Sequence, residues 1–165
     1  MTKRKASPSP DDADAAREKC LRLLSLRARS VGELQDRLKR AGFALNVVES
    51  VISDLVDAGL VDDAEFVRSW IASRQAAGGV GRRKLRWELR RKGVSEELLE
   101  EAVSKTVSDE TEVEQALTLA RKRLTGEGTD ARRLARLRRL LLSRGFGFDT
   151  VDYVMRRVST EVEHS

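Results

Sequence analysis

One short step recurs three times along this chain: Lys39-Arg40-Ala41-Gly42-Phe43, then Arg91-Lys92-Gly93-Val94, then Ser143-Arg144-Gly145-Phe146. The glycines stand 51 and 52 residues apart. A leucine lies four and eight residues before each one: Leu38 and Leu34, Leu89 and Leu85, Leu141 and Leu137. Six residues after each comes another apolar side chain, Val48, Leu99 or Val151. A repeat of this kind restricts the architecture more than any local signal, because whatever one copy folds into, the others must fold into as well.

Each anchor glycine follows an apolar-periodic run rich in Leu, Arg and Lys, which predicts a helix closed by a glycine in a left-handed turn. A second helix follows. It carries Val47, Val48, Val51, Ile52 and Leu55 in the first copy, and Leu98, Leu99, Ala102 and Val103 in the second. The third copy has Val151, Val154, Met155 and Val158. A further helix precedes each pair. Its markers are Leu21, Leu23, Leu24 and Leu26, then Phe66, Val67, Trp70 and Ile71, then Val113, Ala116, Leu117, Ala120 and Leu124. Ser30 with Glu33, and Asp62 with Glu65, have the spacing of a capping box. No run alternates long enough to predict a strand. The expected fold is all-α: three tandem three-helix, helix-turn-helix-like repeats in an elongated array that can curve. The expected divisions are a disordered tail over 1–14 and repeats over 15–60, 61–107 and 108–161. Residues 1–14 are Lys, Ser, Pro and Asp without an apolar stripe, the composition of a chain that does not pack.

With 165 residues and aromatics at only 4%, each repeat has a small Leu and Val core, so neighbouring repeats are expected to share surface. No apolar run follows the first basic residues and none is long enough to span a bilayer, so neither a secretory signal nor a membrane anchor is expected. The single cysteine, Cys20, forms no internal disulfide and reads as a small core residue in a cytoplasmic protein.

The net charge of +5 understates a local pattern. Between Arg82 and Lys92 stand seven basic residues against one acid, Glu88, and between Arg132 and Arg144 six arginines and no acid. In the first repeat Glu33 and Asp36 dilute Arg37, Lys39 and Arg40. With Leu85 and Leu89 facing inward at 100° per residue, Arg83, Lys84, Arg90, Arg91 and Trp87 point outward. Glu88 is expected to pair locally with Lys84 and Lys92. With Leu134, Leu137 and Leu141 inward, Arg132, Arg136 and Arg139 form the opposite stripe. A solubility surface would mix signs, and Arg in place of Lys suits phosphates and carboxylates. The expected binding residues are Arg82, Arg83, Lys84, Arg86, Trp87, Arg90, Arg91, Lys92, Arg132, Arg133, Arg136 and Arg139. Trp87 is read equally as a contact between repeats or as exposed; Trp70, Phe43 and Phe146 are read as core.

No enzymatic machinery is legible. The one histidine, His164, is next to the last residue, and no Cys/His cluster or nucleophilic triad is present. Gly78-Gly79-Val80-Gly81 lacks the Lys-Ser or Lys-Thr of a P-loop and reads as a flexible joint, as do Gly126 and Gly128. A binder without catalytic residues, metal or cofactor is expected.

The segment Gly59 to Phe66, then Trp70 and Arg74, then Gly81 to Leu85, Glu88-Leu89 and Lys92-Gly93-Val94 closely resembles the central motif of the RecX family. Ser30 to Phe43 and Leu140 to Phe146 resemble that family's outer repeats, so the likeness covers about residues 16–160. It implies a bacterial cytoplasmic protein of three-helix repeats that binds the RecA filament on DNA; the chain itself is expected to be a monomer. Such a protein lies along the filament groove and restrains ATP hydrolysis and strand exchange. Single- or double-stranded DNA is a further implied partner, and no membrane is. Trp87 stands where many members carry Gln, so no contact at that position is implied. Two other readings stay open: a helical-repeat DNA-binding protein acting without RecA, and a protein-only scaffold.

Overall fold

The computed structural model describes residues 9–124 and 130–163, with side chains as far as Glu161. Residues 1–8 of the expected tail, Gly126, Gly128 and His164 lie outside the described residues. Among those described there are nine helices and no strand. They run α1 (Ala13–Leu26), α2 (Val31–Arg40), α3 (Leu45–Asp57), α4 (Asp63–Ala76), α5 (Arg82–Arg91), α6 (Glu96–Thr106), α7 (Asp109–Leu124), α8 (Ala131–Ser143) and α9 (Phe148–Glu163). The chain forms two compact units, one reaching Phe66 and including Lys92–Val94, the other comprising Val67–Arg91 and the residues from Ser95 onward.

The repeated pattern maps onto equivalent places. All six anchor leucines are buried, Leu137 being the most exposed at 3%. The glycines take φ +89 at Gly42, +73 at Gly93 and +81 at Gly145, the left-handed turn that stops each middle helix. The next residue folds back: the Phe43 N–H donates to the Leu38 carbonyl and the Phe146 N–H to the Leu141 carbonyl, each at 3.3 Å. Phe43, Val94 and Phe146 are buried, as are Val48, Leu99 and Val151 on the helices that follow.

In the first unit α1, α2 and α3 pack on one another around Leu34, Leu38, Phe43, Val48, Val51, Ile52 and Leu55. The buried positions of α1 are Ala16 and Cys20, whereas Leu21 and Leu26 are exposed and Leu23 and Leu24 only partly covered. Small side chains at the contact let α1 lie close to α3, which a stripe of leucines would not. Ser30 caps α2, accepting from the Glu33 N–H at 3.1 Å while Glu33 accepts from the Ser30 N–H at 3.4 Å. The Ala44 N–H donates to the Pro10 carbonyl at 2.9 Å, and α1 starts at Ala13 under an Asp12 cap. The end of the segment expected as tail is thus tied to this unit.

In the second unit α5 packs on α6, and α7, α8 and α9 on one another. Of the joint expected at Gly78-Gly79-Val80-Gly81, Gly78 is exposed with open space around it, whereas the rest is packed. Val80 and Gly81 are buried, the Gly81 N–H donates to the Arg144 carbonyl at 2.9 Å, and a Cβ on Gly81 would overlap the Gly145 carbonyl. A glycine cluster reads as loose in sequence because the backbone that presses on it lies 64 residues away.

Candidate nucleic-acid interface

Helix α5 presents its charges along two rows, because residues four apart on a helix stack one above the other. Arg82, Arg86 and Arg90 make the first row. Each is clamped by carboxylates of the same unit. Arg82 donates from Nε to Glu112 Oε2 at 3.1 Å and also binds Asp109, while Glu112, 2% exposed, accepts the Arg82 backbone N–H at 2.9 Å. Arg86 grips Glu100 with two bonds, 2.7 and 3.0 Å, and Arg90 grips Glu96, with Nε to Oε2 at 2.8 Å. Hydrogen bonds from Arg90 and Arg86 hold the Glu96 and Glu100 carboxyls below their ordinary pKa.

These pairs correct the expectation of an unbroken positive surface on α5. The helix contains one acid, but the acidic start of α6 and of α7 supplies four carboxylates to it. The run Glu96, Glu97, Glu100, Glu101 was the available signal; what it lacked was the knowledge that α6 packs against α5.

Arg83, Trp87 and Arg91 make the second row. Trp87 is 55% exposed, and Arg91 lies over its ring at 4.8 Å. Arg83 lies over the ring of Phe148, itself 61% exposed, at 4.9 Å. Lys84 is half-buried against the backbone of Gly145. Lys92 belongs to the first unit, where its Nζ donates to Glu33 at 2.8 Å beside Arg27, which donates to the same carboxylate.

Glu88 does not pair with Lys84 or Lys92. It is 9% exposed and accepts from Trp70 Nε1 at 2.9 Å and Arg74 Nε at 2.8 Å, with Arg74 over the Trp70 ring at 4.7 Å. The physical reason is register: Glu88 neighbours Leu85 and Leu89 on the inward side of α5, so it faces α4 and not its own helix surface. Trp70, read as core, is half-buried with its indole N–H committed to this bond.

On α8, Arg132, Arg136 and Arg139 are exposed, and Arg133 is half-buried. Arg136 and Arg133 border a cleft of about 360 Å³ floored by Leu124, Leu137 and Leu140, with Arg123 on its rim. Arg138 pairs with Asp152 at 2.6 Å. Among the described residues no group of His, Cys, Asp and Glu could hold a metal ion, and no helix is long and apolar enough to cross a membrane.

Family comparisons agree with this architecture. Models of the first, second and third three-helix domains of RecX match residues 16–55, 62–103 and 110–155. The chain belongs to the RecX family. Regulatory protein RecX of Amycolatopsis mediterranei (strain U-32) is 42% identical over 134 residues, covering 81% of this chain and 75% of the relative. Regulatory protein RecX of Mycobacterium sp. (strain KMS) is 38% identical over 151 residues, 86% of this chain and 82% of the relative. The crystal structure of RecX from Lactobacillus salivarius shares the fold, with a TM-score of 0.76 at 22% identity over 90% of this chain and 97% of that one.

Proposed function

We propose that this RecX-family chain binds the RecA recombinase filament on DNA and restrains its ATP hydrolysis and strand exchange by occupying the filament groove. It works in the cytoplasm as a monomer, in recombinational DNA repair and the response to DNA damage, with repeats over 15–60, 61–107 and 108–161 as its working parts. Family membership supports the regulatory role. The single observation that carries the binding surface is the division of α5. Arg82, Arg86 and Arg90 are paired with internal carboxylates, whereas Arg83 and Arg91 lie over the aromatic rings of Phe148 and Trp87. With the exposed arginines of α8 they offer guanidinium forks to phosphates and carboxylates, the two anions that a protein filament on DNA presents. Groove occupation requires no catalytic group, only a surface that competes with incoming duplex.

The direct test is hydrolysis of ATP by RecA on single-stranded DNA, with and without this chain. The rate is expected to fall at sub-stoichiometric or equimolar chain, and the effect to weaken steeply with salt. Each phosphate neutralised contributes roughly 0.7 to 0.9 to the slope of log K against log salt. An unchanged hydrolysis rate at saturating chain overturns the filament reading, and a slope near zero removes its electrostatic basis.

A further inference from the structure

We propose that Arg83, Trp87 and Arg91 of α5, with Phe148 at the start of α9, form a stacking track for single-stranded DNA, which the chain binds directly and without a second protein. This deepens the reading above by assigning the nucleic-acid partner and the role of its aromatic residues, and it rests on that reading only for its biological setting.

Three features of the site lead to this partner. First, its aromatic residues are in solvent: more than half of Trp87 and of Phe148 is exposed, in a unit whose other large apolar side chains include the fully buried Leu85, Leu89, Leu99 and Phe146. Burying either ring in the unit would have been the favourable outcome of folding by apolar area alone. Second, guanidinium and ring alternate. Positions 83, 87 and 91 are successive turns of one helix face, so the row extends about 12 Å at 1.5 Å per residue. Phe148 lies against Arg83 at one end and Arg91 against Trp87 at the other. Third, the neighbouring row is neutralised while this one is not. Carboxylates reach Arg82, Arg86 and Arg90, whereas Arg83 and Arg91 lie over the rings of Phe148 and Trp87, and a ring contact does not use up a guanidinium's N–H donors.

That alternation matches the two surfaces of an unpaired strand. Bases stack on flat rings whatever their identity, and phosphates between them take the guanidinium edges. A duplex offers the same phosphates but keeps its base faces stacked inside. An acidic protein surface would satisfy the arginines but would leave the two rings without flat partners. The track therefore selects unpaired bases, not merely negative charge.

The test uses the full chain and three fluorescein-labelled probes of about 20 nucleotides, longer than the few bases one short face can hold. They are oligothymidine, an abasic phosphodiester of equal length, and a duplex of equal length. Anisotropy at one fixed salt concentration should rank oligothymidine tightest. Trp87→Ala should weaken oligothymidine binding roughly five- to a hundredfold, the range of one base stack, and leave the abasic probe unchanged. Trp87→Phe should restore most of the loss, and Phe148→Ala should reproduce part of it. Since Trp87 is exposed, its replacement leaves the fold intact, which an unchanged helical spectrum verifies. Equal affinity for the abasic probe, or unchanged oligothymidine binding by Trp87→Ala, overturns the track. A chain that binds none of the probes yet slows RecA also overturns it, while leaving the filament reading standing. Trp87-dependent binding to oligothymidine without any effect on RecA supports the track and overturns the filament reading.

Discussion

The carbonyl of Gly145 lies where a Cβ on Gly81 would have to be. The Gly81 N–H donates to the neighbouring Arg144 carbonyl at 2.9 Å, and the Arg144 guanidinium reaches the Gly79 carbonyl at 3.4 Å. The turn after α8 is thus pressed onto the N-terminus of α5. The same design joins Gly32 and Gly93 in the first unit, where Cβ atoms would meet backbone on both sides. The Asp63 carboxylate there accepts the first N–H of α2, from Val31, at 2.8 Å, as Glu112 accepts that of α5 from Arg82 at 2.9 Å.

Gly81→Ala should therefore destabilise the protein by about 2–3 kcal/mol, the cost of overpacking against backbone that cannot yield. Gly42→Ala provides the comparison. Gly42 has open space around it but φ +89, so its cost of about 1 kcal/mol comes from the left-handed turn alone. Urea midpoints of the two variants would measure the difference. An equal loss in both would mean that the Gly145 turn moves aside.

Glu33 should make stability fall in acid. Burial acts to raise its pKa, but hydrogen bonds from Arg27 and Lys92, with their charges, win and lower it from 4.5 to about 2. A carboxyl depressed on folding stabilises fully above its unfolded value. The contribution declines as pH falls below about 4.5 and is gone near about 2. It is on the order of 2–3 kcal/mol, after allowing for the partial exposure of Arg27. Glu33→Gln should flatten the dependence of the unfolding midpoint on pH across that window; a curve that keeps its full slope would show that other carboxylates dominate.

Removing the Glu88 carboxylate strands two donors. Glu88→Ala leaves Trp70 Nε1 and Arg74 Nε without the acceptor they share; Glu88 itself is 9% exposed, Trp70 half-buried and Arg74 more open to water. A loss of about 1–3 kcal/mol is expected, with a shift in Trp70 fluorescence as the indole N–H loses its bond. Glu88→Gln keeps an acceptor oxygen and should cost less. If alanine and glutamine behave alike, the carboxylate's charge, and not its hydrogen bonds, holds the site.

The two rows of α5 should differ in function. Arg83→Glu with Arg91→Glu should raise the concentration of chain needed to half-inhibit RecA hydrolysis by about tenfold or more, chiefly through slower association. Arg86→Gln with Arg90→Gln removes charges already matched by Glu100 and Glu96 and should shift it by less than about threefold. Arg37→Glu with Arg40→Glu, in the first repeat, should also have a small effect. Stability should change little in each case, as exposed pairs contribute about 1 kcal/mol or less. Equal loss in both rows of α5 would show that the partner displaces the internal carboxylates.

The repeat, the helix type, the glycine stops and most of the core were legible in the residue order. Helix periodicity, capping and left-handed turns are interactions within a few residues, so spacing carries them directly. The six anchor leucines and Phe43 and Phe146 are buried for that reason, and Ser30 and Glu33 form the capping box that their spacing predicts. Net charge along α5 was legible too, but its disposition was not. Whether an arginine is free depends on which carboxylate faces it, and Glu96, Glu100, Asp109 and Glu112 reach α5 only after α6 and α7 have packed. The same holds for Glu88, turned toward Trp70 and Arg74, and for Gly81, packed because the turn at Gly145 presses on it. Local periodicity is written into the sequence because its forces act over one or two turns of chain. Pairing and close approach between distant segments are decided by packing, and here packing alone separated the row of arginines matched by internal carboxylates from the row that faces outward.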